Sequence, residues 1–216
     1  MTTAEEDYLK SILKLSEAGE AVNTNDIAAD LKMKPASVTD MLRKLAAKKL
    51  IQYKKYYGVK LSANGLKRAT AIVRRHRLWE FFLSEKLGVS WDAVHPMAEE
   101  LEHVSSDELI DKLDKFLGHP RFDPHGDPIP DRNGKISKTR GQVLLNADSG
   151  RWISLSGVME QSPAFLRHLN KLNLKIGSAI KVLSRTSYDN SIELAVEKHP
   201  TVFISAHVAQ NILVTK

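Results

Sequence analysis

The stretch Thr24–Leu50, TNDIAADLKMKPASVTDMLRKLAAKKL, decides the fold. Ile27, Ala28 and Leu31 recur at helical intervals behind a capping Asn23 or Thr24. The short KMK link interrupts the period, and Pro35, a favourable first-turn residue, opens a second periodic run with Val38, Met41, Leu42 and Leu45. Packing these apolar positions together leaves Ser37, Thr39, Asp40, Arg43 and Lys44 facing outward. Upstream, residues 4–18 place Leu9, Ile12, Leu13 and Leu15 on a further helix that Gly19 should end. Downstream, IQYKKYYGVKLS (51–62) reads as two short strands turning near Tyr57 and Gly58. Three helices followed by a hairpin is the order of a winged helix-turn-helix.

Charge agrees with that order. The chain has 216 residues and net charge +6, and residues 1–75 alone hold 15 Lys/Arg against 8 Asp/Glu. The positive excess therefore belongs to the first third, as a polyanion-facing segment requires. In a helix-turn-helix the second helix enters the major groove by its N-terminal end. Ser37, Thr39, Asp40, Arg43 and Lys44 are then the expected groove-facing residues, with Lys54 and Lys55 on the hairpin gripping the flanking phosphates. A three-helix scaffold that binds only protein is the bland alternative; the hairpin at the right distance and the local charge favour double-stranded DNA.

A long helix should follow from Ser62 through GLKRATAIVRRHRLWEFFLSEKL, and the segment 74–118 is helical and rich in large apolar residues. Within it, AEELEHVSSDELIDKL puts Glu99, Glu102 and His103 at i, i+3 and i+4, on one helix face. His76 and Glu80 repeat the i, i+4 spacing one helix earlier. Carboxylates and imidazoles grouped this way suit a divalent transition ion. Residues 118–134 hold four of the eight prolines and read as loop; from about 150 the pattern turns strand-like, interrupted by one helix, PAFLRHLNKLNL. A small barrel or sandwich of about 65 residues is expected there.

There are no cysteines, which excludes disulfides, thiolate zinc sites and cysteine nucleophiles. No apolar run approaches the roughly 20 residues of a bilayer span. The acidic MTTAEEDYLK start lacks the order of a secretory signal, so no membrane association and a cytoplasmic protein are expected. A metalloenzyme is the rival reading of the carboxylate and histidine cluster. Helical di-iron centres pair Glu-x-x-His motifs from two helices, and no such pair is present, nor is there a Gly-rich phosphate loop or a nucleophile elbow.

With these parts assembled, the chain resembles the diphtheria toxin repressor family of metal-dependent regulators, in its manganese-responsive, three-domain branch. EDYLKSI (6–12), ASVTDMLRKL (36–45), RRHRLWEFFL (74–83), HPMAEELEHVSSDE (95–108) and GHPRFDPHGDPIP (118–130) carry the resemblance, which runs nearly end to end. It implies a mainly α fold with a small β domain. The winged helix-turn-helix would span 1–73, a helical metal-binding and dimerisation domain 74–140, and an SH3-like (FeoA-like) domain 150–216.

The resemblance also implies a primary metal site of Asp7, His76, Glu99, Glu102 and His103, and an ancillary site drawn from Glu80, His95, Asp123 and His125, with Glu160 or Gln161 added by the third domain. The iron-responsive branch often has cysteine where Glu99 stands and methionine where Asp7 stands, so the carboxylates here favour Mn2+, with Fe2+ as the alternative. Lys10 departs from one manganese-responsive subgroup, which has a carboxylate there that helps build a two-ion cluster. The implied partners are palindromic operator DNA and a second copy of the chain, with the apolar residues Leu78, Trp79, Phe81, Phe82, Leu83, Leu109, Leu113, Phe116 and Leu117 as the expected dimer surface. The implied role is repression of metal-uptake genes.

Overall fold

The computed structural model describes residues 1–16, 20–54, 57–137 and 141–216. Gly19, Lys55 and Tyr56 lie outside the described residues. The described chain forms two compact units, one made of Met1–His76, Glu99–Phe116 and Pro130–Ile136, the other of Arg77–Ala98, Leu117–Ile129 and Ser137–Lys216.

The first unit opens with α1 (Thr3–Leu15), started by a capping box in which Thr2 Oγ1 accepts from Glu5 N while the Glu5 carboxylate accepts from Thr2 N. Helices α2 (Thr24–Asp30) and α3 (Pro35–Ala47) follow, α2 capped by Asn23 and α3 begun by Pro35. Val38, Leu42 and Leu45 are buried at successive helical intervals of α3 and share one core with Leu9, Ile12 and Ile27. Burying such side chains contributes about 1.5–3 kcal/mol each, which is what holds helices this short in place. The hairpin pairs β1 (Ile51–Lys54) with β2 (Gly58–Leu61) antiparallel, and Val22 adds a bridge to Val59. Helix α4 (Ala63–Leu87) starts so close to the end of α3 that a Cβ on Gly65 would fall 1.9 Å from Leu50 O. Only glycine fits there.

Two further helices, α5 (Val94–Val104) and α6 (Asp107–Phe116), complete the helical part. Arg74 ties α4 to α6 through Asp111 (3.3 Å) and Asp114 (2.9 Å). Of the expected dimer-surface residues, Leu78, Leu83 and Leu113 are buried within the chain's own core, because alternate faces of α4 and α6 already pack internally. Leu109 and Phe116 are the exposed members, joined by Val104, which is 80% exposed.

In the second unit a six-stranded antiparallel sheet runs β3 (Gln142–Val143), β8 (Ile212–Thr215), β4 (Trp152–Val158), β5 (Ala179–Arg185), β6 (Ile192–Val196) and β7 (His199–Ile204). Register shifts at Leu155/Gly157, Val182/Ser184 and Leu194/Val196 bend three of its strands. Helix α7 (Pro163–Lys171) closes the core with Phe165, Leu166 and Leu169. The run TVFISAHVAQNILVTK is two strands separated by the one-turn helix α8 (Ala206–Ala209), and β3 was not legible because two residues carry no period.

Candidate metal centres

Helix α1 presents Asp7 and Lys10 on one face, α4 presents His76, and α5 presents Glu99, Glu102 and His103. Ligand atoms of Asp7, Glu99, Glu102 and His103 all lie within 4.8 Å of one another. Asp7 Oδ1 is 3.1 Å and Glu102 Oε1 is 3.4 Å from His103 Nε2. His76 Nδ1 stands 2.6 Å from Glu102 Oε2 and 3.8 Å from Glu99 Oε1. Three carboxylates and an imidazole, with a second imidazole bonded to the innermost carboxylate, fit a hard divalent ion. Glu102 is fully buried and held on both oxygens, by Lys10 Nζ donating at 2.7 Å and by His76 Nδ1 at 2.6 Å.

The protonation tendencies follow from this crowding. Burial pushes the Asp7 carboxyl up, against the opposing pull of His103 and Lys10. Burial would also raise Glu102, but its bond to His76 and the charge of Lys10 outweigh that and hold it below the usual carboxylate range. Burial works against a charge on Lys10, and Glu102 and Glu99 more than restore it.

Two participants were not expected from the sequence. Glu6 Oε2 accepts from His103 Nδ1 at 2.8 Å; in the neutral ring this tautomer turns the Nε2 lone pair toward Asp7 and Glu102. Arg75 donates to the Glu102 backbone carbonyl at 3.0 Å and stands 3.6 Å from Glu6. A carboxylate behind a ligating imidazole is the usual way its tautomer and ring angle are fixed. Glu6 adjoins Asp7 in EEDYLK, yet nothing in helical spacing connects it to His103.

A second cluster, in the other unit, joins Glu80 of α4 to the loop residues Asp123 and His125, all buried and again with ligand atoms within 4.8 Å. Asp123 Oδ1 ties the loop by accepting from His125 N and Asp127 N, at 2.8 and 3.0 Å. The other oxygen, Oδ2, stands 3.5 Å from Arg77 Nε. Gly126 (φ +89°) makes the tight turn, and a Cβ there would meet Ser156 O at 2.2 Å.

His125 Nε2 donates to the Trp91 carbonyl at 2.7 Å, and the two rings stack with centroids 6.2 Å apart. The buried Nδ1 has no hydrogen-bond partner and faces Glu80 Oε2 at 3.6 Å, beyond hydrogen-bond reach. Burial opposes a charge on His125, but Glu80 and Asp123 outweigh it and the imidazole is pushed up to about 9. At 3.6 Å we ascribe the pull of Glu80 to charge rather than to a bond. Burial, and then the charges of Glu80 and Asp127, push Asp123 up to about 7. An orphaned imidazole nitrogen beside two carboxylates fits a cation.

His95 Nδ1 lies 3.2 Å from Glu80 Oε1 at the rim. Glu160 and Gln161 are engaged elsewhere, Glu160 accepting from Ser162 Oγ (2.7 Å) and Gln161 donating to Asp127 Oδ2 (3.1 Å).

On α3, Ser37, Asp40, Arg43 and Lys44 are exposed and Thr39 half-buried, its hydroxyl donating to Pro35 O at 3.0 Å. Asp40 and Arg43 pair with each other at 3.3 Å. Lys54 sits over the Tyr57 ring, 4.2 Å from its centroid. Among the described residues no helix is long and apolar enough to cross a membrane.

Three family models match the chain. The N-terminal DNA-binding domain of iron dependent repressors covers residues 1–59, their metal binding and dimerisation domain 62–131, and the FeoA domain 143–216. The diphtheria toxin repressor of Corynebacterium jeikeium is 36% identical over 125 residues, a match spanning 58% of this chain and 52% of that relative, about half its length. A manganese-dependent transcriptional repressor solved in complex with manganese superposes with a TM-score of 0.86 at 33% identity, covering 98% of this chain and 99% of that one. ScaR with bound Zn2+ superposes at 0.78 with 31% identity, covering 98% and 99%. The chain therefore belongs to the diphtheria toxin repressor family of iron- and manganese-dependent repressors, proteins that regulate transcription rather than catalyse a reaction, and carries the FeoA domain at its C-terminal end.

Proposed function

We propose that this protein is a cytoplasmic, manganese-responsive repressor of metal-uptake genes, working as a homodimer on palindromic operator DNA, with Fe2+ as the alternative effector. In this reading residues 1–73 read DNA, 74–140 bind metal and dimerise, and 150–216 form the FeoA-like domain. Asp7, His76, Glu99, Glu102 and His103 hold one ion, and Glu80, Asp123 and His125, with His95 at the rim, hold another. The carrying observation is that Asp7, on the first helix of the DNA-binding part, meets His103 of α5 at 3.1 Å.

The ion supplies concentrated positive charge to a group of carboxylates that otherwise repel. The residues do the rest. Asp7 joins α1 to α5, His76 holds Glu102 from α4, and Glu6 fixes the ring of His103. With α1 held this way, α3 keeps one attitude, and paired heads match one operator spacing. A ligand that favours one arrangement shifts the population by its differential affinity alone. The donor set of three carboxylates and an imidazole supports Mn2+ over softer ions, and the relative solved with manganese supports it independently.

Exposed Val104, Leu109 and Phe116 support a dimer surface on α5 and α6. Ser37 and Thr39 at the start of α3 are assigned to base edges, Asp40, Arg43 and Lys44 to the groove, and Lys54 and Lys55 to phosphates. The test is a DNA mobility shift with Mn2+ and with chelator, paired with metal analysis. Binding that ignores chelation, or full Mn2+-dependent binding by Asp7→Ala and Glu102→Ala, overturns the reading.

A further inference from the structure

Lys10 makes 2.7 Å bonds to both Glu99 Oε1 and Glu102 Oε1. These are not spare oxygens. Glu102 Oε1 is the atom 3.4 Å from His103 Nε2, and Glu99 Oε1 is the atom 3.8 Å from His76 Nδ1. The ammonium thus sits on the lone pairs that face the imidazoles, where a bound cation would need them. Its position is fixed by the fold, since Asp7 and Lys10 share a face of α1 and the Lys10 side chain is only 20% exposed. Three carboxylates this close cannot all stay charged without a cation among them. Lys10 is that cation, and it is covalently attached.

We propose that Lys10 is a tethered counter-cation which an incoming divalent ion must displace, so that Lys10 sets the metal concentration at which the protein responds. The inference rests on the reading of this cluster as a metal site. Two consequences follow from charge alone. One ammonium offsets part of the charge of three carboxylates, so the metal-free site is partly preformed while repulsion among them remains. The ion then has to break two charge-assisted bonds and accept a neighbouring positive charge, which weakens its hold. A Lys10 that only braced the helices would act in the opposite direction, because its loss would disorder the ligands and weaken metal binding.

The test titrates Mn2+ into full-length protein and reads free Mn2+ by its EPR signal, in a His125→Ala background so that the second cluster takes up no ion. Lys10→Met and Lys10→Gln should bind Mn2+ about tenfold more tightly or better, the scale of one lost charge-assisted competitor. Lys10→Arg, which keeps the charge, should stay within about threefold of the parent on the same grounds. Without metal, Lys10→Met should melt earlier than the parent, and added Mn2+ should raise its melting temperature by more. Should Lys10→Met fold only with the ion present, the chelator concentration that unfolds it reads the same constant, and Lys10→Gln supplies an independent value. A neutral variant that binds Mn2+ no more tightly than the parent overturns the proposal. If instead the parent takes up no ion and Glu102→Gln changes nothing, the metal reading itself has failed.

Discussion

Replacing Glu6 by alanine removes the carboxylate that accepts from His103 Nδ1 at 2.8 Å and stands 3.6 Å from Arg75. Neither side chain of the His103–Glu6 pair is more than 13% exposed, so water does not stand in for the lost partner. Two effects follow. A buried hydrogen bond to a charged group contributes about 1.5–3 kcal/mol, so the fold should lose roughly 2 kcal/mol around α1. More specifically, His103 becomes free to place its proton on Nε2, the nitrogen that faces Asp7 and Glu102. Outer partners of ligating histidines typically govern about 10–100-fold in metal affinity, and Glu6→Ala should fall in that range. Glu6→Gln keeps an acceptor oxygen without the charge and should fall between Glu6→Ala and the parent. Competition of Mn2+ against a fluorescent chelator measures the affinity, and imidazole 15N shifts report the tautomer. An Mn2+ affinity within about twofold of the parent for Glu6→Ala, with an unchanged His103 tautomer, would refute the assigned role, since a mere stability loss of this size leaves ligand geometry intact in the folded fraction.

The second cluster should be linked to protons. Asp123 is raised from 3.8 to about 7 and His125 from 6.5 to about 9, so the fold holds protons that the unfolded chain has released. Their stabilising contributions are complete below the unfolded values and fade as pH rises through 7 and 9, so metal-free protein should melt progressively earlier across that window. An ion must displace those protons, and Mn2+ uptake by Glu102→Gln chains should strengthen by up to about tenfold per pH unit per proton released; pH-independent uptake contradicts this. Gly126→Ala places a Cβ 2.2 Å from Ser156 O at a φ of +89°, and should cost about 3 kcal/mol by calorimetry while removing one Mn2+ per chain and sparing the Asp7 cluster. Lys54→Ala should weaken binding to every duplex and lower the salt slope by about 1, whereas Ser37→Ala should change the preferred sequence; equal loss on all sequences from the latter refutes its role.

The helical half of the fold was legible because its period is long and its punctuation strong. Pro35 opens α3, and Val38, Leu42 and Leu45 repeat at the helix interval that buries them. Glu99, Glu102 and His103 group by spacing alone, since one helix face brings them together. What lay beyond reach came from different elements. Glu6 meets His103, and Lys10 meets Glu99 and Glu102, only because α1 packs beside α5, which no local spacing encodes. The same holds for Leu78, Leu83 and Leu113, apolar residues whose partners are internal. Glu160 and Gln161 rested on resemblance alone, and their side chains bond to Ser162 and Asp127.

The ring of His125 is seated on Trp91, whose indole Nε1 donates to Asn170 Oδ1 on α7 at 2.8 Å and whose side chain packs on the core of the FeoA-like sheet. One wall of that histidine's socket is thus anchored by the C-terminal domain. Truncating the chain before the sheet would leave the indole without its anchor and the imidazole without a fixed backstop. Such a shortened protein should hold an ion more weakly at Glu80, Asp123 and His125 while the Asp7 cluster keeps all of its own residues, so a single cut should set the two clusters apart.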